Sequence, residues 1–239
     1  MPGLYVYGIV GQAHPSAVAE LAAVGGDAAG PVHRVEAAGV AAVTSAAPAE
    51  LRGKRRDLLA HQRVLDALAE QGAVLPMRFG VVAADEPALI ASLRKNSAHY
   101  QRLLRELAGR VEWNVKAVPD EQAFIAAAAQ EPAVHTALQA ARRANSHERQ
   151  LELGQVVAEA VHRRVRLSGD EILNQLKPFA DRATLLDGGG SYALNAAFLV
   201  ERQQVPRFQQ AIDEVRARVA PALELVLTGP LPPYSFVGG

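Results

Sequence analysis

The chain has 239 residues, of which 49% are apolar, with 25 basic and 25 acidic side chains and no cysteine. That apolar content suits one large domain or two of about 100 residues each, and the charge balance argues against both a disordered chain and a basic nucleic-acid module. The missing cysteine excludes disulfides, thiolate metal sites and cysteine nucleophiles together.

The opening Met1-Pro2-Gly3-Leu4 has neither a charged leader nor a long apolar run, and the alanine-rich stretch from Ala37 to Ala49 is too short and weakly apolar to span a bilayer. A soluble cytoplasmic protein is expected. Residues 4–10 are apolar on both alternating faces (Leu4, Val6, Gly8, Val10 against Tyr5, Tyr7, Ile9), the pattern of a strand covered on both sides. A short helix is expected from Pro15 to Val24, ended by Gly25-Gly26-Asp27. Val32–Ala37 and Val40–Ala46 predict two strands turned at Ala38-Gly39. Pro48 to Glu70 has helical period, with Leu51, Leu58, Leu65 and Leu68 on one stripe beside His61. A strand from Val74 to Val82 and a helix opened by Asp85 and Pro87 and running to about Ala108 complete the first half.

Residues 111–118 alternate Val111, Trp113, Val115 and Ala117 with Glu112, Asn114 and Lys116, which predicts a one-sided strand. Pro119-Asp120 opens a helical region to about Gln175, with breaks expected near Glu131-Pro132 and Ser168-Gly169. Its stripe is read as Leu151, Gly154, Ala158, Val161 and Val165, suggesting a helical hairpin. Phe179–Leu186 and Tyr192–Arg202 predict an antiparallel hairpin turned at Asp187-Gly188-Gly189-Gly190. A helix over Val205–Val219 and a strand over Leu223–Leu227 follow. The fold class expected is α+β, with two two-layer domains: residues 1–109, then residues 110–239 in the ferredoxin-like order β-α-β-β-α-β, carrying an enlarged helical insertion and an extended C-terminal arm.

The motifs of common chemistry fail one by one. Gly53-Lys54 is followed by Arg55 rather than Ser or Thr and lacks the upstream glycine of a phosphate loop. Gly188-Gly189-Gly190 sits between two strands, not between strand and helix, so it is no dinucleotide fingerprint. The seven histidines show no zinc spacing and no i,i+4 pair, and no serine sits in a nucleophile elbow. His61, on an inner stripe, reads as a buried structural histidine rather than a catalytic one. Arg142, Arg143, Arg149, Arg163, Arg164 and Arg166 are interleaved with glutamates, as on a solvated, ion-paired helical surface. No enzyme activity, cofactor, metal, nucleic acid or membrane partner is expected.

Two segments place aromatics beside prolines in a chain that is only 5% aromatic: Val74-Leu75-Pro76-Met77-Arg78-Phe79-Gly80 and Gly229-Pro230-Leu231-Pro232-Pro233-Tyr234-Ser235-Phe236. The second cannot be an ordinary central strand and reads as a stiff, polyproline-like arm whose Tyr234 and Phe236 seek a pocket. Together with Leu4-Tyr5-Val6-Tyr7-Gly8-Ile9-Val10 and Asn195-Ala196-Ala197-Phe198-Leu199-Val200, these segments resemble the GvpL/GvpF family of gas vesicle proteins over nearly the full length.

The resemblance implies two α+β domains and an accessory role in gas vesicle formation. It implies binding to the small hydrophobic GvpA-like shell protein and to other gas vesicle accessory proteins, in the cytoplasm and at the gas vesicle. The matching positions, Pro76, Arg78, Phe79, Gly80, Asn195, Phe198, Gly229, Pro230, Pro232, Pro233, Tyr234 and Phe236, become the candidates for partner contact or family signature. A ligand-binding regulatory protein built on a ferredoxin-like domain is the alternative.

Overall fold

A computed structural model describes residues 3–144, 146–187 and 191–238. The chain's contacts divide it into two units. The first holds the chain up to Glu112 together with the tail from Pro230 onward, and the second is Trp113–Gly229. The sequence reading instead closes the first domain at Gly109 and leaves the arm with the second.

The first unit contains β1 (Leu4–Gly11), β2 (His33–Ala37), β3 (Val40–Ala46), α1 (Arg55–Gln71), β4 (Val74–Pro76), β5 (Val82–Ala83) and α2 (Glu86–Leu107). Its sheet runs β2-β3-β1-β4, with β5 also pairing β1. Ala38 and Gly39 take positive φ (51° and 81°), the primed turn whose twist matches a tight hairpin, and this sets the β2–β3 register. One residue, Tyr7, bulges out of the β1–β3 register. β1 is buried from Tyr5 to Val10. Tyr5, Tyr7, Val24, Val32, Val43, Val64, Leu65 and Leu68 belong to one core that joins sheet, α1 and the segment before β2. α2 packs along β1 to β4, started by an Asp85 side chain that accepts the Ala88 N–H at 2.8 Å.

Two expectations fail here for physical reasons. The helix expected over Pro15–Val24 is an irregular segment ending in a 3-10 helix (Gly26–Ala29). Distant side chains satisfy its amides one by one: His14 Nδ1 accepts from Ser16, Gln71 from Ala17, the Tyr7 hydroxyl from Val24 and Asp57 from Gly25. The single strand expected over Val74–Val82 splits into β4 and β5, because Pro76 has no N–H to continue the ladder and Gly80, at φ 100°, turns the chain.

The second unit contains β6 (Arg110–Pro119, its first residues in the first unit), α3 (Glu121–Ala128), α4 (Pro132–Ala144), α5 (His147–Leu176), β7 (Arg182–Leu185), β8 (Leu194–Glu201), α6 (Val205–Val219) and β9 (Leu223–Leu231, its last two residues in the first unit). The sheet order is β7-β8-β6-β9. Counted within each unit, both sheets therefore run second-third-first-fourth strand. β7 and β8 pair antiparallel, from Arg182 opposite Leu199 to Leu185 opposite Ala196. Of the turn expected between them, Gly188 to Gly190 lie outside the described residues. α5 and α6 cover the sheet over β8, with Phe198 against Phe208 at a ring separation of 5.4 Å.

α5 is continuous where a break is expected at Ser168-Gly169. Gly169 serves close approach instead: a Cβ there would lie 1.8 Å from the Ala193 carbonyl oxygen. The stripe is also rotated from the expected one. Ala160, Gly169, Ile172 and Leu176 face inward, while Leu151, Gly154 and Ala158 are exposed. The early half of α5 packs against the neighbouring helices, through Val156, Val157 and Val161 with Ala128 and Val134. The C-terminal arm is not polyproline-like. β9 stays a strand through Pro230 to Leu231, which a sheet edge tolerates, and a 3-10 helix follows over Tyr234–Phe236.

Candidate functional site

The two proline-aromatic segments, far apart in sequence, meet at the start of α1. The first is fixed by a relay through the core. Met77 N–H donates to the Tyr7 carbonyl at 2.9 Å, and the Met77 carbonyl sits 3.1 Å from His61 Nε2. A carbonyl only accepts, so Nε2 carries the proton and Nδ1 accepts, from the Tyr5 hydroxyl at 2.8 Å. The Tyr5 oxygen in turn accepts the Gly80 N–H at 3.3 Å. Tyr5, Tyr7, His61 and Phe79 form an aromatic cluster with ring separations between 4.9 Å and 5.9 Å. Burial lowers the His61 pKa and raises that of Tyr5 above its ordinary range. Both rings are thereby held neutral.

The second segment is fixed by a buried carboxylate. Glu112, 1% exposed, accepts the Ser235 N–H at 2.7 Å and the Ser235 hydroxyl at 2.8 Å. Pro232, Pro233 and Phe236 are buried, and Tyr234 packs on the first unit's core with its hydroxyl donating to Gln62 Oε1 at 3.4 Å. Burial raises the Tyr234 pKa, so it too stays a neutral phenol.

Between these two fixed segments lies a groove of about 560 Å³ lined by Arg55, Leu58, Leu59, His61, Gln62, Arg78, Phe79 and Tyr234. Leu58 and Leu59 are 44% and 46% exposed. Leu58 does not join the inner stripe as expected, because Asp57 takes the inward position, accepting from Gly25 and from the Arg56 guanidinium. Val81 and Val82, just past the turn, are exposed as well.

Of the twelve candidate positions, Phe79, Arg78 and Tyr234 line this groove. Pro76 and Gly80 shape its turn, and Pro232, Pro233 and Phe236 anchor the tail behind it. Gly229 (φ 155°) and Pro230 lie in β9. Asn195 and Phe198 are elsewhere and structural: Asn195 Nδ2 donates to the Leu186 carbonyl at 3.1 Å, and Phe198 is fully buried. Arg78 is exposed and, among the described residues, makes no ion pair. Arg55, Leu58, Leu59 and Gln62 are lining residues that sequence periodicity assigns no functional part. Their only signal is an apolar pair at the exposed start of a helix whose inner face is already complete.

The second unit carries a smaller groove of about 320 Å³ lined by Ala123, Phe124, Ala127, Arg164, Leu167, Ser168, Glu171 and Ala222. Its arginine is already engaged, with Arg164 Nε 2.6 Å from Glu131, which Arg163 also pairs. Among the described residues no cluster of three or more histidines and carboxylates is placed to hold a metal, and no helix is long and apolar enough to cross a membrane.

Residues 3–238 match the family described as "Gas vesicle synthesis protein GvpL/GvpF". The chain is 41% identical over 238 residues to gas vesicle protein F of a Streptomyces species, covering 98% of each chain. It is 33% identical over 215 residues to gas vesicle protein L of the same organism, covering 82% of this chain and 79% of that relative. The crystal structure of GvpF from an Anabaena species matches with a TM-score of 0.83 at 27% identity, over 100% of this chain and 99% of the other. That of GvpF from Microcystis aeruginosa gives 0.81 at 26% identity with both chains fully covered. Relatives of the same length and fold, matched through both sheets and the tail that walls the groove, make this chain a member of the GvpL/GvpF family of gas vesicle proteins.

Proposed function

We propose that this protein is a non-enzymatic accessory factor of gas vesicle formation. It binds the small hydrophobic GvpA-like shell protein in the cytoplasm and, with other accessory proteins, assists nucleation or growth of the shell. The observation that carries this reading is the open groove at the start of α1, where Leu58, Leu59, Phe79 and Tyr234 present apolar surface between two rigidly held segments. An assembly factor must hold an aggregation-prone subunit and then release it. Enclosing two or three apolar side chains contributes about 1.5–3 kcal/mol each, much of which is offset by the cost of association, so the contact is reversible. Rigid walls keep that cost low, because the tail and the Met77–Gly80 turn are ordered before any partner arrives.

The test is co-purification of shell protein with the tagged chain. Replacing Leu58 and Leu59 by Asp should lower the recovered shell protein at least about tenfold, since charges in the groove oppose apolar docking. The circular dichroism spectrum should stay unchanged, both positions being solvent-facing. Undiminished recovery with the folded variant would contradict the proposal.

A further inference from the structure

We propose that the groove selects its occupant by charge as well as by apolarity: it takes an apolar peptide segment that carries a carboxylate, met by Arg55 and Arg78. This deepens the shell-binding reading and rests on the same groove. The only charged side chains among the lining residues are these two arginines, and no aspartate or glutamate stands with them. Both are exposed, and among the described residues neither makes an ion pair or a side-chain hydrogen bond. Their neighbours differ: Arg52 pairs with Glu50, and Arg56 with the buried Asp57.

Two unpartnered guanidiniums beside apolar walls form a surface complementary to a chain that is apolar with an acidic flank. Docking displaces water from the groove, so the Coulomb attraction acts in a lower dielectric than on an open surface. The planar fork of arginine suits a carboxylate in two-point contact, which a lysine would not reproduce. The same pair disfavours a basic apolar segment by like-charge repulsion, which makes the arginines a specificity device.

The experiment is selection of a displayed random-peptide library on the immobilised full-length chain, followed by affinity measurement of the enriched peptides. The expected result is enrichment of apolar sequences containing Asp or Glu. Their affinity should fall at least about tenfold in Arg55→Glu/Arg78→Glu, and less steeply in Arg55→Gln/Arg78→Gln. It should also weaken as salt is raised. The variant Arg142→Glu/Arg143→Glu, altered at exposed positions on α4, should bind as wild type. Enriched peptides without acidic residues, peptides that bind the charge-reversed groove equally well, equal loss in the α4 variant, or no enrichment at all would each overturn the proposal. The shell protein separates the two readings. If it binds wild type and the charge-reversed variant alike, the charge selection is wrong and shell binding stands. If it binds neither while acidic peptides do bind, the shell reading is wrong and the charge selection stands.

Discussion

The two units carry sheets of the same strand order, yet they cover them differently. In the first, residues 12–32 between the first and second strands are irregular apart from the 3-10 helix Gly26–Ala29. α1 with this segment covers one face, α2 packs along the same strands, and β1 and β3 are buried almost throughout. In the second, residues 120–181 in the same place hold α3, α4 and α5, and the strands are covered unevenly: β8 is buried from Ala196 to Val200, whereas the edge strand β9 alternates, Leu223 and Leu225 buried, Glu224 and Val226 exposed. The helical insertion satisfies itself, with Glu131 drawing in both Arg163 and Arg164 and Gly169 letting α5 sit on the Ala193 carbonyl. The first unit has less helix, and its α1 keeps two leucines and an arginine unpartnered at the groove. Identical strand order therefore leaves different surfaces on the two units. The unit with less helix presents the larger of the two grooves, although the second unit exposes apolar side chains of its own, among them Leu151, Leu167 and Leu185.

The comparison is broken most severely at Gly169. Substitution by leucine forces α5 off β8 and should cost about 4 kcal/mol or more in chemical denaturation, at the top of the range for single substitutions. A loss under 1 kcal/mol would mean that helix and strand are not closely packed there. Next in size is Phe236→Ala. If the tail belongs energetically to the first unit, removing this buried ring should destabilise that unit by about 3 kcal/mol, while the fluorescence transition of Trp113, in the second unit, stays in place. A shift of the Trp113 transition alone would assign the tail to the other unit.

Acid should separate the units by smaller increments. Burial lowers the folded-state pKa of His14 and His61, both in the first unit. The unfolded chain then binds more protons at these sites, so their stabilisation is complete above about pH 6.5 and is lost as pH falls through that value, by up to about 1.4 kcal/mol per pH unit for each group. In the second unit, the Arg164 hydrogen bond, aided by Arg163, lowers the Glu131 pKa. Its stabilisation is complete above about pH 4.3 and fades only below that. Hydrogen exchange of the first unit should rise between pH 6.5 and pH 5 before that of the second, and His14→Asn/His61→Gln should flatten that early rise. The smallest effect is a gain. Gly154 lies mid-helix in α5 with open space where its Cβ would be, so Gly154→Ala should stabilise by about 0.5–1 kcal/mol, the opposite sign from Gly169 fifteen positions along the same helix.

Local chemistry made much of this legible. The Ala38-Gly39 turn, the Asp85 cap with Pro87 in the first turn, and the Val205–Val219 helix are each written in contiguous residues, and all appear in the fold. What was not legible depends on partners remote in sequence. The amides of residues 16–25 are claimed by Tyr7, Asp57 and Gln71, and Gly169 answers to Ala193. In the groove, Phe79 and Tyr234 announced themselves as rigid aromatics. Leu58 was hidden because Asp57, a charged residue, takes the inward place that periodicity reserves for an apolar one.

The central claim is that the first unit's groove, rather than the second unit's, is where the shell protein docks. Hydrogen exchange of the full-length chain with and without shell protein tests it most directly. The account predicts new protection over residues 55–62 and 77–82 and around Tyr234, with residues 121–128 and 163–172 unchanged. Protection confined to the α3–α5 groove, or a bound shell protein that leaves residues 55–62 and 77–82 exchanging as before, would contradict it.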